Sequence, residues 1–246
     1  MNPGGTNGYI AEESPGAGGA LSAAWRPAGL FYLAAMLIGL AVGLWPWSIG
    51  GSVDPYSPVS VPAVQTLVVA QVAFYLVVYP LIVLFRASSG RSWRWWPDAV
   101  VETFFWTLLG AAFFVPAVWL SGSVPSDAIR GMVYVCGFWP VAWVCGAWLA
   151  SRKAGGAAVM FGSIFAAMGL PWLWYVSVEF FSPAGWHGAL WRLSPVMQAW
   201  DVAAPRGAQG GLSPLWSIVV WPLAAGAMFA LWAIVPARGK PPQVAS

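Results

Sequence analysis

The chain has 246 residues, of which 59% are apolar, 16% aromatic and 8% charged, with a formal net charge of +3. A soluble domain carries about 25% charged residues, so an ordinary soluble enzyme is excluded. Disorder is excluded as well, because it needs low hydrophobicity and high charge. The eleven Lys and Arg residues are too few to build a basic binding stripe, so no nucleic-acid partner is expected.

Residues 1–24, Gly-rich and polar with Glu12, Glu13 and Pro15, read as a flexible cytoplasmic tail. They lack the basic start of a signal peptide. Six charge-free runs follow: Arg26 to Asp54, Asp54 to Arg86, Glu102 to Asp127, Arg130 to Arg152, Lys153 to Glu179, and Arg206 to Arg238. Each has room for the roughly 20 apolar residues that cross a hydrocarbon core about 30 Å thick. A charge at the bilayer centre costs about 2.5 kcal/mol or more, which is the physical reason for such clearance.

The runs predict an all-α polytopic membrane helix bundle with six transmembrane helices, near 28–48, 64–85, 99–120, 131–150, 156–177 and 214–236. They lie in one membrane domain, 25–238, followed by a cytoplasmic tail, 239–246. The short alternation of β-barrel strands is missing.

Basic residues set the orientation. With the amino terminus in the cytoplasm, the inside holds Arg26, Arg86, Arg91, Arg94, Arg152, Lys153, Arg238 and Lys240, and the outside only Arg130, Arg192 and Arg206. The positive-inside rule favours this sense, with both termini cytoplasmic. The most polar inner loop is 86–98. The longest outer segment, 178–213, contains Trp186, Trp191 and Trp200 and reads as a short structure on the outer interface.

Nineteen Trp residues make the chain tryptophan-rich, and most fall near predicted span ends as two interfacial belts. Trp139 and Trp143 sit mid-helix at i, i+4, where packing is the simpler account than an aromatic cage. Every predicted span carries a proline: Pro46, Pro80, Pro116, Pro140, Pro171 and Pro222. Proline removes a backbone bond and kinks a helix. Gly39 and Gly43 form a GxxxG pair that lets two helices approach closely.

Groups that carry chemistry are scarce. Cys136 and Cys145 are nine residues apart, on opposite helix faces about 13 Å apart along the axis, so they read as structural thiols. His187 is the single histidine and cannot build a metal site alone. No phosphate-binding loop, nucleophile elbow or H-E-x-x-H motif is present. No catalytic residue, metal or cofactor is therefore expected. The candidate functional polar residues are Glu102, Glu179, His187, Arg192 and Asp201, and Arg91, Arg94 and Asp98 are candidates for a cytoplasmic contact. An acid such as Glu102 near a helix start is favoured by the helix dipole.

Six spans with both ends inside, a longer outer segment before the last span, and the run Leu193-Ser194-Pro195 resemble an ABC-2-type transporter permease. The resemblance is one of layout over most of the chain. Where that family often carries a Glu-containing segment after the second span, this chain has Arg91-Ser-Trp-Arg94. The resemblance implies a separate ATPase subunit as partner and an export substrate.

The expected function is the membrane-spanning subunit of a transporter energised by another protein. The alternatives are a non-catalytic membrane anchor or assembly factor, and a membrane enzyme acting on lipid-linked substrates at the outer face. Expected partners are the lipid bilayer, the ATPase and other copies or subunits in an oligomer. The expected location is a bacterial cytoplasmic (inner) membrane; abundant Ala, Gly and Pro, with nine Arg against two Lys, suggest a GC-rich genome.

Overall fold

The computed structural model describes residues 17–48, 63–88, 97–121, 123–150, 155–180, 186–204 and 214–234, and among them the chain is helical with no strand. Helix α1 is Ala17–Ser48. Helix α2, Ala63–Ala73, runs through a π turn, Phe74–Val78, into α3, Tyr79–Ser88. Helices α4, α5 and α6 are Pro97–Ser121, Pro125–Cys136 and Phe138–Ala150. Helix α7, Gly156–Ile164, passes through a second π turn, Phe165–Gly169, into α8, Leu170–Phe180. Two short helices, α9 (Trp186–Leu193) and α10 (Pro195–Val202), precede α11, Pro214–Ile234.

Three helical stretches, Ala63–Phe85, Pro125–Ala150 and Gly156–Phe180, are long and apolar enough to cross a membrane. Shorter apolar stretches occupy Gly29–Trp45, Phe105–Ser121 and Val219–Leu231. Helix α1 already begins at Ala17, inside the stretch read as a flexible tail. Helix α5 begins at Pro125 rather than near 131, because Pro at the first helical position and Asp127 in the first turn are helix-starting residues. Charges at Asp127 and Arg130 thus mark the first turns of a helix, not the loop before it. The tail residues 1–16 and 235–246 and most of the loop 86–98 lie outside the described residues.

The prolines explain the interruptions. Pro80 has no N–H, so the Leu76 carbonyl, four residues earlier, lacks its α-helical donor. The backbone widens there, and Tyr79 N–H closes an i→i−5 bond to Phe74 O. Pro171 stands in the same relation to the second π turn, where Leu170 N–H bonds Phe165 O. Pro140 follows the turn at Gly137 that separates α5 from α6. Pro116 and Pro222 sit inside α4 and α11 without ending them.

Helix α6 is the centre of the bundle, with every residue from Val141 to Trp148 buried. Helices α3, α7 and α11 all pack on it. Helix α1 packs most closely on α2, through the GxxxG pair read from the sequence. A Cβ at Gly43 would lie 2.5 Å from Ala63 Cα, and one at Gly39 would lie 3.0 Å from Ala70 Cβ. Small residues let backbones meet where lipid offers helices no hydrophobic drive to associate. Gly155, at φ 83°, takes the left-handed backbone that turns the chain from α6 into α7.

Gly43→Ala is expected to push α1 off α2 and lower stability by about 1–3 kcal/mol. Gly29→Ala, where an added Cβ meets nothing within 4 Å, is expected to change little. Unfolding titrations of the two variants in the same detergent check the contrast.

Candidate functional site

Two clusters of polar side chains lie inside the apolar bundle. The first centres on Glu102, sixth residue of α4 and 1% exposed. Its carboxylate accepts from Trp106 Nε1 at 3.1 Å and from Tyr79 OH at 3.4 Å. Trp106 is one helical turn further along α4, and Tyr79 is the residue that closes the first π turn. The Trp106 carbonyl accepts from Tyr32 OH at 3.1 Å, and Tyr32 OH accepts from Gln71 Nε2 at 2.9 Å. Phe74 packs edge-on against Tyr32 and at a tilt against the Trp106 ring. The cluster therefore ties α1, the π-interrupted span and α4 together through groups that hydrocarbon cannot solvate.

The second cluster is built around α10, which is wedged into the bundle instead of lying on its rim. Pro195, Gln198, Ala199 and Val202 are buried, and α10 packs on α2, α5 and the second π turn. Its start is fixed by Ser194, whose hydroxyl accepts from Met197 N–H. Tyr134 OH donates to the Pro195 carbonyl at 2.9 Å, and Trp221 Nε1 donates to Tyr134 OH at 3.1 Å. Gln198 accepts from Tyr134 and Trp221 and donates to the Arg192 carbonyl. At the far end of α10, Arg130 pairs with Asp127 at 2.6 Å and donates to the Ala204 carbonyl at 2.8 Å. Trp191, stacked edge-on against Trp174, donates its indole N–H to the Asp201 carboxylate. Burial raises the Asp201 carboxyl above the ordinary carboxylate range, and this hydrogen bond pulls it partly back.

These placements revise several sequence expectations. Glu102 serves less as a dipole-favoured helix start than as an interior acceptor. Glu179 lies within the last turn of α8, exposed, rather than after the helix. The segment 178–213 enters the bundle through α10. Cys145 is buried, whereas Cys136 is exposed at the surface. Trp143 lies in the core and Trp139 packs against it, in keeping with the packing account.

Arg192 is exposed, and no hydrogen bond or ion pair joins it to Glu179 or Asp201 among the described residues. Among those residues no group of three metal-ligating side chains occurs. Arg91 and Arg94 lie outside the described residues, as do the side chains of Asp98 and His187.

Tyr32, Gln71, Tyr79, Tyr134, Ser163 and Gln198 were not singled out from the sequence. Gln71 had a signal: an amide inside a charge-free run must find a partner in the bundle. Comparison with protein-family models, curated proteins and solved structures finds no match for this chain.

Glu102→Ala, which leaves Tyr79 and Trp106 without this acceptor, is expected to cost about 2–4 kcal/mol. Glu102→Gln, which keeps an oxygen there, should cost about 1 kcal/mol. Denaturant titration of both variants measures the difference. For Asp201 the raised folded-state pKa means that folding favours the protonated form. Stability is therefore lost as pH rises from the ordinary carboxylate range through the raised one. Subtracting the pH profile of Asp201→Asn from that of the natural chain should isolate this fall, and a flat difference would refute the assignment.

Proposed function

We propose that the chain crosses a bacterial cytoplasmic membrane six times, with both termini inside, as the membrane-spanning subunit of a transporter energised by a separate ATPase. The span count is supported by six helical units, 17–48, 63–88, 97–121, 125–150, 156–180 and 214–234, each overlapping most of one charge-free run. The orientation rests on the excess of Arg and Lys at one set of ends.

One observation carries the transport reading. Three spans in mutual contact, 63–88, 125–150 and 156–180, are each interrupted near mid-length, two by π turns and one at Gly137. Many transporters form their sites from helices broken near the membrane midplane, and π turns inside helices are frequent at functional sites. An anchor has no need of such breaks. Trp191 and Trp221 also direct their indole N–H groups to acceptors within the chain's own second cluster.

Purification from native membranes in a mild detergent, followed by photolabelling with an azido-ATP analogue, tests the pairing. A labelled partner chain is expected to elute with this protein at fixed stoichiometry. Recovery with no nucleotide-binding chain would overturn the reading. Reporter fusions at Met1 and Ser246 that fall on opposite sides of the membrane would overturn the span count.

A further inference from the structure

The two π turns are built alike and are linked through α7, which packs on the first and leads into the second. Each is five residues long, each is followed by one further residue and then proline, and each lies in the middle of its span. Helix α7 packs on the first π turn, and Ser163, just before the second, donates its hydroxyl to Leu76 O at 2.7 Å. Leu76 O is the carbonyl that Pro80 leaves without a donor. One side-chain hydrogen bond therefore joins the weakest backbone point of one span to the threshold of the corresponding point in the other. π turns and prolines are where helices bend.

Each π turn also reaches one polar cluster. Helix α10 packs on the second π turn. The first is closed by Tyr79, whose hydroxyl holds Glu102. We infer that the two π turns form a paired hinge latched by Ser163 on Leu76, through which movement of the α10 wedge is transmitted to the Glu102 cluster. The hinge is a property of the bundle and is independent of whether an ATPase drives it. Bending at one turn displaces Ser163 from Leu76, and the freed carbonyl then favours bending at the other.

Hydrogen exchange measured by mass spectrometry on the full chain in lipid nanodiscs tests this. Ser163→Ala is expected to raise exchange about tenfold both in α10 and at the start of α4 around Glu102, the size set by losing one buried hydrogen bond. Ser177→Ala is the control. That buried hydroxyl bonds Trp174 O in its own helix at 2.7 Å, so its effect should stay within α8.

A rise confined to the residues around Leu76 and Ser163, or no rise, overturns the proposal. So does an equal rise at both clusters in the Ser177 variant. If Ser163→Ala fails to fold, Pro80→Ala is read instead. That variant returns an N–H to Leu76 and should slow exchange at both clusters, and unchanged exchange there overturns the proposal.

Discussion

Hydrocarbon offers no hydrogen-bond partner, and that single property governs this bundle. Each carbonyl that a proline abandons and each polar side chain carried into a span must find its partner in the protein. The structure meets the requirement in pieces. A serine serves Leu76, a tyrosine and a tryptophan serve Glu102, and a glutamine serves Tyr32. All of these except the Trp106 bond, which stays within α4, cross between spans, so satisfying local chemistry also fixes which helices are neighbours. Polar residues here act as registration marks in an interior that is otherwise apolar and tolerant of sliding.

Packing follows from the same medium. Lipid tails are as apolar as leucine, so burial of leucine against leucine does little to hold helices together. Close approach is needed, and it occurs where glycine removes the intervening carbon, as on the α1 face that meets α2. The spans also differ in how much of themselves they hide. For Pro125–Ala150 the most apolar window is 67% buried, against 17% for Gly156–Phe180. The first is therefore the central column and the second a peripheral one. The peripheral span touches the centre mainly along the face that bears Met160, Ser163 and Ala167. A helix held along one narrow face is free to bend about it.

Charge clearance and turn residues made the helices legible along most of the chain, because both are one-dimensional signals. What they could not convey is how a helix is used once it is in place. Asp127 and Arg130 looked like the edge of a span because a charge is costly in lipid. Paired with one another and capped onto Ala204, they are accommodated in the first turns of α5. Glu102 looked like a helix-start acid because its position along α4 is all that a sequence supplies. Its real partners, Tyr79 and Trp106, come partly from another span. The wedge was hidden for the same reason. Its depth depends on Tyr134 and Trp221, which are distant in the chain, and a Trp-rich segment lies as naturally on an interface as inside a bundle. The prolines were visible, but the π turns that accompany two of them depend on what faces the freed carbonyl.

The bond to Leu76 reaches across from another span. The carbonyl belongs to a turn in which Phe74, Tyr75 and Leu76 are all buried. A hydroxyl already anchored to a helix needs only the one acceptor. The donor is covalently part of the protein, and its position is set by the backbone of α7. The geometry of one interrupted span is thus dictated by the placement of another, which is the condition for two bends to move as one.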